Sequence, residues 1–319
     1  MLAVWIEKGM VSVREAEEPP RAEGFATLRL LCGGICNTDL ELVRGYYGFA
    51  GVPGHEFVAE VEEASDRRLV GKRVVGEINL ACGVCEWCRK GWGRHCPTRT
   101  VLGIVRHPGA FQERFTLPER NLHVLPDSMP TEVAVFAEPV AAACEILDQT
   151  PIPKGATVAV LGDGKLGLLT AQVLAAAGCA VELFGRHPEK MRIVEPAGVR
   201  TQVAGDAPPA MAYDWVVEAT GSAAGLRAAV AMTRPRGVLI LKSTVHGLAE
   251  LDTAAVVVHE ITLVGSRCGR MEAALPLLAS GQVRVREMIS DRLPLREAAR
   301  GFELAARRGA LKVLFDATG

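Results

Sequence analysis

Hydrophobic positions along the chain change pattern near residue 130. Before that point they fall in short β-type runs, at 26–31, 57–62 and 73–76, punctuated by Gly, Pro and charged turns. Beyond it the chain becomes Ala-rich, and strand-like runs alternate with helical ones. The strand-like runs are 157–161, 180–184, 215–218 and 237–242, and the helical runs between them are 166–177, 188–194 and 223–232. That alternation predicts a doubly wound parallel sheet. After Gly269 the pattern predicts a helix, a turn, a second helix over 295–307 and a last short strand over 311–316. The expected organisation is therefore a mostly β domain over 1–130, an α/β domain over 131–269, and a return to the first domain over 270–319.

Composition narrows this picture. A length of 319 residues suggests about two domains, and 49% hydrophobic with 23% charged residues is globular composition. Lys plus Arg (36) nearly cancels Asp plus Glu (37), so no long-range field draws the chain to nucleic acid or an anionic membrane. The richest apolar run, 166–184, is broken by Gln172, Gly178 and Glu182, which excludes it as a membrane span. The first nine residues carry Glu7 and Lys8 and read as no signal peptide. A cytoplasmic protein is expected. Nine cysteines, an odd number with four in one cluster, suit a reducing compartment better than a disulfide framework.

That cluster is Cys82, Cys85, Cys88 and Cys96, a C-x-x-C-x-x-C-x7-C spacing that lets four thiolates converge on one tetrahedral ion. The segment also holds Glu86, Arg89, Lys90 and three glycines, which is loop composition rather than core. Structural zinc in a lobe over 80–97 is expected; an iron–sulfur cluster is the metal alternative. A closed shell of this kind holds a loop and leaves no position for substrate. A second set is dispersed: Cys36 in Cys36-Asn37-Thr38-Asp39, His55 and Glu56 after Gly54, and Glu138 before Pro139. Different ligand types from separate segments are what a catalytic zinc with an open position needs. Taken singly, each reads more simply as a core cysteine, a hydrogen-bonded core histidine or a turn.

Gly162-Asp163-Gly164-Lys165-Leu166-Gly167 gives G-x-G-x-x-G directly after an apolar strand and before a helix. In that context the pattern means a tight turn, close backbone approach to a pyrophosphate, and a helix N-terminus facing phosphate. The next strand ends Gly185-Arg186-His187 rather than in Asp or Glu. With no carboxylate there to grip a 2′-hydroxyl, and a guanidinium placed for a 2′-phosphate, NADP(H) is favoured over NAD(H). Glu182 lies three residues too early and is expected to be structural.

Together these residues resemble the zinc-dependent medium-chain dehydrogenase/reductase family, which includes alcohol, polyol, threonine and glucose dehydrogenases. The resemblance spans nearly the whole chain and implies a GroES-like catalytic domain with a Rossmann domain inserted in it. It places Cys36, His55 and Glu138 at the catalytic zinc, Glu56 as the adjacent acid that binds or leaves the metal, and Thr38 beside the alcohol. Asp39 falls where the family orients the zinc histidine, and Glu138-Pro139 is closer to the polyol and glucose members than to those with a third cysteine. Val217-Glu218-Ala219-Thr220-Gly221 resembles the coenzyme-side strand end, so Thr220 and Gly221 join the expected coenzyme residues. The implied reaction is hydride transfer between a secondary alcohol, polyol or sugar and NADP(H), with zinc as a Lewis acid and Thr38 passing on the hydroxyl proton. The implied assembly is a homodimer or homotetramer.

Several positions depart from the family pattern. Glu41 stands where many relatives carry a relay histidine, and Ala59 replaces a usual glycine. Only 18 residues separate Cys36 from His55, so the loop over 45–51 shapes an altered substrate mouth, with Tyr46, Tyr47 and Phe49 as lining or packing residues. A zinc-independent quinone or enoyl reductase of the same fold is argued against by Cys36, His55, Glu56 and Glu138 together. A zinc ribbon on nucleic acid is argued against by near-neutral charge. A non-catalytic NADPH-binding sensor is the remaining alternative. Cys32, Cys144, Cys179 and Cys268 read as packing residues, and His95, His107, His123, His246 and His259 have no ligand context comparable to that of His55.

Overall fold

A computed structural model describes residues 1–205, 208–243 and 250–317; His246 lies outside them. The chain divides into two compact units, one from Met1–Glu138 together with the chain from Met288, the other Pro139–Glu287. Both breaks fall later than the change of hydrophobic pattern suggests. Residues 270–287 belong with the second unit because they are tied into it: Arg270 pairs with Asp148 at 3.0 Å. The buried Gln172 side chain accepts from the Arg284 N–H at 2.7 Å and donates to its carbonyl at 3.1 Å.

The first unit is built on the strand Phe25–Gly34. Ala26, Leu28, Leu30 and Cys32 face the core, while Thr27 and Arg29 point away, the period of two that a half-buried strand requires. Arg29 meets Glu60 at 3.1 Å from the neighbouring strand Glu56–Glu63. The final strand, Lys312–Asp316, pairs antiparallel with residues 32–34, which returns the end of the chain to the first unit's sheet. Phe111, Phe302 and Phe315 fill the core beside it in edge-on contact. Gly301 permits this approach, since a Cβ there would stand 2.4 Å from the Phe315 ring.

The second unit is a six-stranded sheet in the order Arg200–Val203, Ala180–Gly185, Thr157–Leu161, Tyr213–Glu218, Thr233–Leu241, Thr262–Gly265. Every pairing in it is parallel. The order reverses beside Thr157–Leu161, the switch point at which open α/β sheets bind ligands. Val158, Val160 and Leu161 are buried together with Leu168, Leu169 and Leu174 of the helix Lys165–Ala176. The architecture is thus a GroES-like, mostly β unit and a Rossmann unit. No helix among the described residues is long and apolar enough to cross a membrane.

Candidate metal and coenzyme sites

Cys36 leaves the end of the strand Phe25–Gly34 and opens the short helix Asn37–Val43. Asp39, in that helix's first turn and fully buried, joins two distant segments. Its Oδ2 accepts the Cys36 backbone N–H at 2.8 Å and its Oδ1 accepts the Gly54 N–H at 3.3 Å. Oδ1 also lies 3.4 Å from His55 Nδ1, an ionic contact rather than a well-directed hydrogen bond. Gly54 has φ +101°, and a Cβ there would come within 2.4 Å of the Phe111 ring, so glycine is required at this point.

Ligand atoms of Cys36, His55 and Glu56 all lie within 4.8 Å of one another. Burial acts to deprotonate His55, but the charge of Asp39 and the Cys36 sulfur outweigh it and hold the imidazole well above its ordinary pKa. A cation at the same place would satisfy that demand for positive charge, with Nε2 free to ligate because Nδ1 faces Asp39. The donor set of thiolate, imidazole and carboxylate fits zinc. Thr38 Oγ1 sits 3.7 Å from Cys36 Sγ. Glu138 is not within the 4.8 Å set, yet it stands close enough to feel His55, Glu56 and Lys312, and burial pushes its carboxyl up to about 7.

Lys312 is the residue that sequence reasoning missed. It is buried, its Nζ donates to Glu56 Oε2, and it lies 5.5 Å from the centre of the Phe136 ring. Burial alone would lower its pKa, but Glu56 and Cys36 more than offset this and keep it charged. Gly34 leaves the space for this pair, because a Cβ there would be 2.8 Å from the Glu56 carboxylate. Glu56 is thus already held by an ammonium at the place where it would reach a metal. The only signal in the sequence was a lone lysine within the apolar run Leu311-Lys312-Val313-Leu314-Phe315. Glu41, in the relay position, is paired with Arg44 at 2.5 Å. In the loop after it, the Tyr46 and Tyr47 rings pack 4.1 Å apart, and Tyr47 is two-thirds exposed.

The four-cysteine lobe closes as its spacing predicts, with all four sulfurs within 4.8 Å of one another. Cys85 Sγ is 3.4 Å from Cys88 Sγ and 3.8 Å from Cys96 Sγ, and Cys82 Sγ is 3.9 Å from Cys88 Sγ. Four sulfurs about 2.3 Å from one tetrahedral ion stand roughly 3.8 Å apart. The Cys82 backbone and the Thr98 hydroxyl pull Cys96 down to about 6, whereas burial pushes Cys88 up to about 11. Four sulfurs at this spacing could hold one tetrahedral metal ion.

In the second unit Gly162 has φ +116°, and a Cβ on it would meet the Ala219 carbonyl at 2.5 Å. Gly167, in the first turn of the helix Lys165–Ala176, would meet the Gly162 carbonyl at 1.9 Å. These two glycines hold loop and helix together, while Gly164 faces open space, which is what close approach of a phosphate requires. Leu166 follows Lys165 in the same first turn. Glu218, buried at its strand end, accepts from both the backbone N–H (2.6 Å) and the hydroxyl (2.5 Å) of Thr220; the Gly221 N–H donates to Ser243 at 2.9 Å. Glu182 has the structural role expected of it, accepting from the Tyr213 hydroxyl and pairing with Arg200.

One expectation is overturned. A carboxylate does reach the end of the second strand, not from the strand itself but from the glycine-rich loop. Asp163 accepts the backbone N–H groups of both Arg186 and His187 at 2.6 Å. No one-dimensional pattern brings residue 163 to residue 186; the parallel pairing of their strands does.

Residues 22–127 match the family Alcohol dehydrogenase GroES-like domain, and residues 166–280 the family Zinc-binding dehydrogenase. The chain is 31% identical over 312 residues to D-altritol 5-dehydrogenase of Agrobacterium fabrum, covering 92% of each chain. Among solved structures, an alcohol dehydrogenase from a Thermus species is 31% identical with a TM-score of 0.87, covering 99% of this chain and all (100%) of that one. A Sinorhizobium meliloti protein solved bound to NADP is 29% identical with a TM-score of 0.90, covering 99% of this chain and 98% of that one.

Proposed function

The chain belongs to the zinc-type medium-chain dehydrogenase/reductase family and is an NAD(P)-dependent oxidoreductase of the alcohol dehydrogenase type; from that premise we propose that it interconverts a polyol, sugar or other secondary alcohol and its carbonyl compound with NADP(H). The first unit serves as the catalytic domain and the second as the coenzyme domain. The observation that carries this reading is the convergence of Cys36, His55 and Glu56 around Asp39. Zinc held by Cys36, His55 and Glu138 would supply Lewis acidity toward the substrate oxygen, and the nicotinamide a hydride acceptor.

The protein's own groups do the rest. Asp39 orients His55 and fixes the Cys36 backbone, so the two ligands are aimed before substrate arrives. Lys312 pairs with Glu56 and holds its carboxylate within ligand reach of Cys36 and His55. Thr38 Oγ1, beside Cys36, accepts the substrate hydroxyl proton and passes it on. Glu41, paired with Arg44, takes the place of an imidazole at the relay position on the proton's way out. Gly162, Gly164, Lys165, Leu166 and Gly167 take the pyrophosphate, Thr220 and Gly221 lie at the coenzyme-side strand end, and Gly185, Arg186 and His187 take the adenosine end. Arg186, exposed at a strand end that carries no acid of its own, supports NADP(H).

The proposed substrate class is supported by the relatives' chemistry, a 5-dehydrogenase of an altritol among them. The test is coenzyme reduction by zinc-loaded protein across simple alcohols, polyols, aldoses and threonine, each with NADP and NAD. Turnover of polyols or sugars, faster with NADP, is expected. Silence across the panel with NADPH still bound would favour a coenzyme sensor that has lost the chemistry.

A further inference from the structure

The case for NADP(H) rests on Arg186, yet the turn that carries Arg186 is folded around a negative charge. Asp163 Oδ2 accepts three hydrogen bonds, from the backbone N–H of Arg186 and of His187 at 2.6 Å each and from His187 Nδ1 at 2.9 Å. Gly185 makes the room, since a Cβ on it would stand 2.6 Å from Asp163 Cβ and 2.7 Å from Oδ2. Burial works to protonate this carboxyl, but the His187 and Arg186 N–H groups and the His187 ring outweigh it and hold the pKa below the usual range.

Two consequences follow from the donor count. The backbone N–H groups of residues 186 and 187, natural donors to a 2′-phosphate, are already taken by Asp163. What this turn still offers a phosphate is the Arg186 guanidinium. Because a carboxylate only accepts, His187 Nδ1 must be the donor in that contact, which leaves Nε2, buried and without a partner. The same carboxylate that orders the turn also sets a negative charge at the backbone of the residue whose guanidinium would distinguish a phosphate from a hydroxyl.

We propose that Asp163 is the positioning and discriminating residue of the coenzyme site: it latches the Gly185-Arg186-His187 turn, fixing how Arg186 and His187 are presented, and its charge limits the preference for a 2′-phosphate that Arg186 creates. This deepens the coenzyme assignment above and rests on it. Asparagine at 163 keeps an oxygen to accept the two N–H groups but removes the charge; alanine removes both.

The experiment is equilibrium titration of NADPH and NADH, by quenching of protein fluorescence, into the full-length wild type, Asp163→Asn, Asp163→Ala and Asp163→Asn/Arg186→Ala. The readout is the ratio of the two dissociation constants, which a merely structural role would not move. In Asp163→Asn the preference for NADPH over NADH should rise about threefold to tenfold, the scale on which removing one nearby like charge acts at a partly exposed site. Asp163→Ala should fall below the Asn variant by a similar factor, because the charge is absent from both and only the latch differs. Adding Arg186→Ala should abolish the gain. The proposal is overturned if the Asn ratio equals that of wild type, if the Asn and Ala ratios coincide, or if the gain survives without Arg186. Should Asp163→Ala fail to fold, the Asn and double variants still decide. A wild type that prefers NADH while these shifts appear would sink the NADP(H) reading and leave the role of Asp163 standing.

Discussion

Lys312 and Glu56 form an ion pair in which both side chains are almost wholly buried. Removing one partner of a buried pair leaves an uncompensated ion and typically costs about 3 to 5 kcal/mol. Lys312→Met should therefore lower the denaturant midpoint markedly at pH 8, and adding Glu56→Gln should recover much of that loss. If the single variant is as stable as wild type, the buried pair is not what holds this part of the fold. Glu138 makes a second prediction at this scale. With its carboxyl at about 7 against 4.5 for an unperturbed glutamate, the metal-free folded protein holds a proton there across the window between them. That contribution to metal-free stability is full below about 4.5 and fades as pH rises through about 7. A metal ligand must be deprotonated, so zinc competes with this proton and with the one that Asp39 and Cys36 hold on His55. Affinity at this site, read by chelator competition with the four-cysteine site left loaded, should climb by about tenfold per pH unit for each proton displaced up to about pH 7. It should keep rising beyond as His55 deprotonates. A flat profile between pH 5.5 and 7 would remove Glu138 and His55 from the ligand set. The candidate ligands Cys36 and His55 were legible only as a set with Glu56 and Glu138 in the family pattern, since each taken singly reads as an ordinary core residue. Lys312 and Asp163 were not, because their partners lie 256 and 23 to 24 residues away, and only the folded sheets bring each pair together.

Among the elements, alternation of apolar runs was enough to read the Rossmann sheet, since buried parallel strands and their helices have distinct periods. The unit boundaries were not readable in the same way. The helix Met271–Ala279 has the same pattern whichever core it joins, and what assigns it is the reciprocal bonding of Gln172 with Arg284. The cysteine lobe lies at the other extreme, wholly legible from spacing and nearly devoid of core. Between the strands Asn79–Leu80 and Thr100–Leu102 it contributes one fully buried side chain, Cys96, while Val84, Trp87 and Trp92 stay exposed. An element with so little burial depends on its metal for order. Cys96→Ser should reduce bound zinc from two ions to one per chain, lower the melting temperature, and expose residues 82–96 to limited proteolysis, while the NADPH dissociation constant changes little. Two zinc ions retained in that variant would mean that the lobe is not a four-thiolate site.

For the molecule as a whole, the two kinds of chemistry are built on separate units. Cys36, His55, Glu56, Glu138 and Lys312 all belong to the unit that includes both ends of the sequence, whereas the glycine-rich loop, Arg186, His187, Thr220 and Gly221 belong to the segment Pro139–Glu287. The glycine contacts that shape the coenzyme loop, from Gly162 to Ala219 and from Gly167 to Gly162, close within that segment. The glycine-rich loop is thus shaped by contacts that use none of the candidate metal ligands, and loss of the metal is expected to remove catalysis without removing coenzyme binding. Cys36→Ala is the cleanest case, because it deletes a ligand that no hydrogen bond of the Rossmann unit uses. Turnover of any alcohol should fall below detection, while NADPH still binds within about twofold of the wild-type affinity and still raises the melting temperature as mass action requires. Full activity in Cys36→Ala would refute the catalytic-zinc assignment. Loss of NADPH binding would show instead that the two units are energetically coupled, so that the metal helps to order the coenzyme site as well as to activate the substrate.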